Sequence, residues 1–208
     1  MNFIISYPRS GNTFLRYCIE YLSHRPTLDC RDGLNGSPIY ANPMSNITIN
    51  NFNPIIRKEH HWEYISNYLN ENSRIIFVLR DYKDCLLSHS IRKTLKYKFE
   101  ELINKIFHYL DLLYRFDDYK HAKHLLYYED FVENPSDSLR KIFDFLEVPV
   151  DLDLFIKNFS YHKKKSLSLY PHGQIKKNSM PQTDKEMLDY YVSTLAKTNV
   201  KKYLHRYL

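Results

Sequence analysis

Phe3-Ile4-Ile5-Ser6-Tyr7-Pro8-Arg9-Ser10-Gly11-Asn12-Thr13-Phe14-Leu15 is the stretch on which the fold turns. Phe3 to Ser6 is an apolar run of strand length that Tyr7-Pro8 ends. From Thr13 onward Phe14, Leu15, Cys18, Ile19 and Leu22 recur at helical spacing. The order is therefore strand, loop, helix. Phosphate binds well at such a junction. Gly11 lets backbone N–H groups face a ligand, the helix start offers N–H groups with no intrahelical acceptor, and Arg9, Ser10 and Thr13 add side-chain donors. An ordinary capped helix start is the plain alternative for so short a pattern.

Further along, Arg74 to Arg80 is a continuous apolar run bounded by two arginines, as expected of a parallel strand covered on both faces. Ile55 to Lys58 and Leu125 to Tyr128 read as two further strands. Helices are expected over Trp62 to Leu69, from Asp81–Asp84, over Phe99 to Phe116, over Pro135 to Phe145 with Ser136 as cap, and from Thr183. In the Phe99 helix the apolar residues are Phe99, Leu102, Ile103, Ile106, Phe107, Leu110 and Leu113. Arg25 to Pro54 and Phe155 to Gln182 read as loops, the second rich in Lys and Ser. Strands alternating with helices predict an α/β fold, a central mainly parallel sheet flanked by helices, built as one domain over residues 1–208.

Composition narrows the function classes. The 30 Lys and Arg exceed the 24 Asp and Glu, giving a formal charge of +6, which suits an anionic ligand but contains no basic run of nucleic-acid-arm length. Three cysteines, Cys18, Cys30 and Cys85, form neither a complete disulfide set nor a zinc pattern, so a reducing compartment, the cytoplasm, is expected. The apolar run before Pro8 is too short for a signal peptide, and no stretch has membrane-spanning length. The sequons at Asn35, Asn46 and Asn158 are accordingly read as incidental. No metal-ligand cluster is visible, and the sequence does not set the oligomeric state.

A second motif, Arg80-Asp81-Tyr82-Lys83-Asp84-Cys85-Leu86-Leu87-Ser88, follows the apolar strand directly. An Arg leaving a strand end can fork onto a phosphate while a Ser two turns into the next helix adds a hydroxyl. Tyr7 to Phe14 (Y-P-R-S-G-N-T-F) resembles the P-loop-like 5′-phosphosulfate loop, Y-P-K-S-G-T-T-W, of sulfotransferases that use 3′-phosphoadenosine-5′-phosphosulfate (PAPS). Arg80 to Ser88 resembles that family's 3′-phosphate segment, V-R-N-P-K-D-V-x-x-S. Leu126 to Pro135 is similar to its L-x-Y-E-D-L-x-x-x-P. Arg9 stands where the family has Lys, and Phe14 where it has Trp near the adenine.

The resemblance implies a sulfotransferase that moves a sulfuryl group from PAPS to a hydroxyl or amine and releases 3′-phosphoadenosine-5′-phosphate (PAP). It implies nucleotide contacts from Arg9, Ser10, Gly11, Asn12, Thr13, Phe14, Arg80, Ser88, Tyr128 and the Ser160-Tyr161 pair. The family's last nucleotide element is reduced here to His172-Gly173 and the lysines after it, with Pro171 at the Arg position; Lys163, Lys164 and Lys165 are candidates to compensate. Arg57-Lys58-Glu59-His60-His61 resembles the family's K-T-H, which implies His60 as general base and Lys58 and Arg9 as charge partners of the transferred group. His61 or Glu59 replaces His60 if the register slips by one.

Two rival readings remain at this level. One is a P-loop kinase or NTPase, although G-x-x-x-x-G-K-[ST] is absent. The other is a protein that binds PAP without catalysis. The acceptor is not written in the motifs; the form of the Arg9 loop resembles that of enzymes acting on carbohydrates or glycolipids.

Overall fold

The computed structural model describes residues 1–28, 53–94, 97–169 and 180–208. Five strands run in it: β1 (Phe3–Ser6), β2 (Thr27–Leu28), β3 (Ile56–Glu59), β4 (Ile75–Leu79) and β5 (Lys123–Tyr127). The helices are α1 (Asn12–Ser23), α2 (Glu63–Ser66), α3 (Tyr82–Thr94), α4 (Phe99–Asp118), α5 (Tyr128–Glu133), α6 (Pro135–Leu146), α7 (Asp153–Lys157), α8 (Phe159–Leu169), α9 (Gln182–Leu195) and α10 (Thr198–Leu204). The strands form one parallel sheet in the order β2-β3-β1-β4-β5.

Side chains on a strand alternate between faces, so this sheet feeds two cores. Phe3, Ile5, Ile75, Phe77 and Leu79 pack on residues of α3, α4, α9 and α10. Ile4, Ile76, Val78 and Leu126 pack on residues of α1 and α6. All five residues of β4 are buried, which explains why this strand reads as an unbroken apolar run. Phe77 packs against Phe116 in a tilted arrangement with ring centroids 5.0 Å apart. Truncating it to Ala would open a cavity at a cost of about 3–5 kcal/mol.

Parallel strands bring their C-terminal ends to one edge. Ile5 pairs with Glu59, Ser6 with Val78, and Leu79 with Tyr127, so the candidate motifs after β1, β3, β4 and β5 all emerge there. β1 is central, and the chain departs to β3 on one side of it and β4 on the other. That is a topological switch point, where α/β sheets bind ligands.

Several element expectations need correction. The loop expected from Phe155 to Gln182 holds α7 and α8. Phe155, His162 and Ser166 are buried, with Phe159 half-buried between them, a row at spacings of four, three and four that the exposed Lys164 and its neighbours mask. Asn134, not Ser136, caps α6, accepting the Asp137 N–H at 3.4 Å. Pro135 fits the first helical position, which sets the cap one residue earlier. In α4, Phe107 is 55% exposed while Tyr109 is buried, because position 107 lies off the stripe of 102, 106, 109 and 113. Tyr128 opens α5 instead of ending β5, and β2 falls in the expected Arg25–Pro54 loop. Cys30, Asn35 and Asn46 lie outside the described residues. Among the described residues, no helix is long and apolar enough to cross a membrane.

Candidate functional site

The loop between β1 and α1 has a left-handed backbone at two positions, Arg9 (φ 74°) and Gly11 (φ 88°). For Arg9 this conformation costs about 1–2 kcal/mol, since its Cβ crowds the following carbonyl. Gly11 is the N-cap of α1, and no side chain caps the helix there. Its first N–H groups thus have no capping side chain, the arrangement that receives an anion. Gly11 is also sterically required, because an added Cβ would run into the Tyr128 ring.

Ser10 and Asn12 are buried, and bonds from the loop side chains fasten it. Asn12 Nδ2 donates to Ser6 Oγ at 2.7 Å, and Thr13 Oγ1 to Asn12 Oδ1 at 3.4 Å. Ser10 is fully buried, its Oγ 3.4 Å from the Cys85 sulfur on α3. Burial pushes the Cys85 thiol up to about 12, so it stays protonated beside the loop. Phe14 lies in an aromatic group, 5.3 Å from both Phe131 and Phe159 by ring centroids.

The second motif closes on this loop. Arg80 Nη1 donates to the Arg9 carbonyl at 3.2 Å, Nη2 to Asp84 at 2.9 Å, and the guanidinium lies 4.8 Å over the Tyr128 ring. Arg9 Nε donates to Ser88 Oγ at 3.0 Å. Five sequence-predicted residues from three separate strand ends, Arg9, Gly11, Arg80, Ser88 and Tyr128, are thereby brought into direct contact.

The β3 end adds His60. Its Nδ1 is 2.7 Å from the Ser6 carbonyl, which only accepts, so Nδ1 carries the proton and Nε2 is the basic position of the neutral ring. Lys58, in register with Ile4 and 6% exposed, shares the face of Ile56 that packs with α1. Glu59 is fully buried and ion-paired with Arg57 at 2.7 Å. His61 is exposed.

Two further sequence-predicted residues sit apart. Ser160 and Tyr161 are exposed at the start of α8, next to the Phe159 that touches Phe14. Lys165, also on α8, has Nζ 5.9 Å from the Tyr161 ring. His172 and Gly173 lie outside the described residues.

Sequence reasoning missed a set of polar residues around Tyr7. His89 Nδ1 is 2.9 Å from the Tyr7 hydroxyl, and His108 Nε2 donates to the His60 carbonyl at 3.0 Å. The His108 ring lies 5.6 Å from Tyr7 and 4.8 Å from His61. Burial, then the neighbouring His61, lowers the His108 pKa, so it is a neutral donor at pH 7. A signal did exist: Lys105 and His108 share the i, i+3, i+7 row of α4 with the buried Leu112, where polar residues are out of place.

A family model described as sulfotransferase domain matches residues 2–193. Among solved structures, the chain is similar to mouse sulfotransferase SULT7A1 complexed with PAP, with TM-score 0.63 and 17% identity over 100% of this chain and 88% of that one. It is also similar to the sulfotransferase domain from the curacin biosynthetic pathway, with TM-score 0.55 and 18% identity over 94% and 96% of the two chains. A third likeness is to the sulfotransferase domain of the Synechococcus PCC 7002 olefin synthase, with TM-score 0.54 and 17% identity over 95% and 94%. At these identities the likeness is one of fold. The comparison with curated proteins gave no match.

Proposed function

The chain belongs to the sulfotransferase domain family, enzymes of sulfuryl transfer that use PAPS as donor, and on that premise we propose how its own residues divide the work. Arg9 and the α1 start from Ser10 to Thr13 hold the 5′-phosphosulfate, and Arg80 with Ser88 holds the 3′-phosphate. Tyr128 and Phe14 border the adenine, with Ser160 and Tyr161 on the Phe14 side beside Phe159; His172 and Gly173 are assigned to the nucleotide from the sequence resemblance. His60 is the general base.

In this reading the acceptor oxygen attacks sulfur in line, and its proton passes to His60 Nε2. The bond between sulfur and the bridging oxygen breaks, and PAP leaves with the electron pair. Arg9 and Lys58 offset the charge on the leaving phosphate and the sulfuryl oxygens. Positioning and electrostatics supply most of the acceleration, as in phosphoryl transfer. The observation that carries the reading is the His60–Ser6 bond, which fixes the tautomer a base needs one residue before the phosphate loop begins.

We further propose a hydroxyl acceptor of polyhydroxyl character, a carbohydrate or glycolipid. Support comes from His89 and His108, whose rings gather around Tyr7, with His61 beside His108 and the His60 carbonyl bonded by His108. A cytoplasmic setting is supported by the free thiols of Cys18 and Cys85. One domain over residues 1–208 is supported by both cores sharing the same sheet.

Mass-detected sulfate transfer from PAPS across a panel of glycans, glycolipids, phenols and amines tests the reading. Transfer to glycan hydroxyls is expected. Transfer confined to phenols overturns the acceptor class, and PAP binding with no transfer to any acceptor overturns catalysis.

A further inference from the structure

Residues outside the proposed chemistry also reach the nucleotide edge. Tyr207 O–H donates to Glu129 Oε2 at 2.6 Å, and Glu129 Oε1 accepts the Asp81 backbone N–H at 3.2 Å. Asp81 follows Arg80, and Glu129 follows Tyr128. One carboxylate therefore ties together the ends of β4 and β5, and one hydroxyl from a distant segment holds that carboxylate.

Neighbouring bonds reinforce the same junction. Lys83 Nζ donates to the Tyr207 carbonyl at 2.7 Å and to Asp189 on α9 at 2.8 Å, and the Tyr82 hydroxyl also donates to Asp189. Arg206 Nη1 donates to Asp130 at 2.8 Å while its guanidinium lies 4.7 Å over the Tyr127 ring. From the other side, Tyr109 O–H donates to the Arg80 carbonyl at 2.7 Å. Arg80 is thus gripped at its own carbonyl and at the next N–H. Arg206 and Tyr207 both lie beyond the family-matched residues 2–193.

A binding site is only as well placed as the groups that hold its contact residues. We propose that Tyr207, acting through Glu129, is a positioning residue for the nucleotide site, fixing the spacing between the strand ends that carry Arg80 and Tyr128. The inference rests on the reading that Arg80 holds the 3′-phosphate. Burial, then the bond to Glu129, raises the Tyr207 pKa, so the hydroxyl keeps its proton and remains the donor throughout the working pH range.

Calorimetric titration of the full chain with PAP and with AMP, which lacks the 3′-phosphate, tests this. The readout is the ratio of the AMP to the PAP dissociation constant, which a loss of general stability leaves unmoved. Tyr207→Phe keeps the packed ring and deletes one hydroxyl. It is expected to lower the ratio by about 2- to 10-fold, the range of one net hydrogen bond. Glu129→Gln should lower it as well, and the double variant should fall short of the product of the two, since both cut one link. Arg80→Ala serves as the reference and should bring the ratio close to one. If Arg80→Ala collapses the ratio while Tyr207→Phe and Glu129→Gln leave it intact, the positioning role is overturned. If Arg80→Ala leaves it intact, the 3′-phosphate reading falls, and this inference falls with it.

Discussion

Arg9 Nε donates to Ser88 Oγ across 3.0 Å, joining the loop after β1 to the helix after β4. The two residues come from the two motifs assigned to opposite phosphates of one nucleotide. In the proposed assignment Ser88 therefore has two roles, contact with the 3′-phosphate and the aiming of Arg9. Ser88→Ala should weaken PAP by about 2- to 10-fold, equivalent to a net hydrogen bond of about 0.5–1.5 kcal/mol, in a calorimetric titration. Unchanged affinity would show that neither role is exercised.

His60→Ala should lower sulfuryl transfer by about 10²- to 10⁴-fold with PAP affinity nearly unchanged, because a general base acts on the acceptor proton in the transition state. Steady-state rates paired with PAP titration check this. A variant at His61 that loses activity while His60→Ala keeps it would move the base by one residue. Glu59 is less informative as a test, since removing its buried carboxylate leaves Arg57 without its ion-pair partner.

Gly11→Ala meets two obstacles at once, the positive φ and the Tyr128 ring. A destabilisation of at least about 1–2 kcal/mol is expected from the backbone alone. For a chain of this size that corresponds to a melting temperature lower by about 2–8 °C. PAP should fail to restore it, because the loop and the ring can no longer share their present positions. Full restoration by PAP would contradict the close approach.

Asp117 should govern part of the acid sensitivity. Partial burial pushes its carboxyl upward, but bonds from Lys202, Tyr203 and Asn199 outweigh this and hold it well below the usual carboxylate range. A depressed folded-state pKa stabilises the protein above the unfolded value, near ~3.9, and that contribution fades as pH falls below it. Asp117→Asn should therefore melt lower than the parent at pH 7, with the gap narrowing below about pH 4. A gap that is constant from pH 7 to pH 3 would mean that charge on Asp117 contributes nothing to the docking of α10.

The sequence by itself determined the parallel α/β order, the loop after β1 and the strand before Arg80. Each of these is local, since hydrophobic period, strand length, Pro8 and Gly11 act within a few residues of their own position. It also placed Arg9, Arg80, Ser88, Tyr128 and His60 in order, because parallel strands bring their ends to one edge whatever fills the core. It hid α7 and α8, whose buried row of Phe155, His162 and Ser166 is broken by lysines. Only the tertiary structure decided that His89 and His108 meet Tyr7, that Ser10 turns inward to Cys85, and that Tyr207 reaches Glu129 from 78 residues away. Those contacts join segments whose patterns carry no record of one another, so they exist only once the helices have packed on the two faces of the sheet.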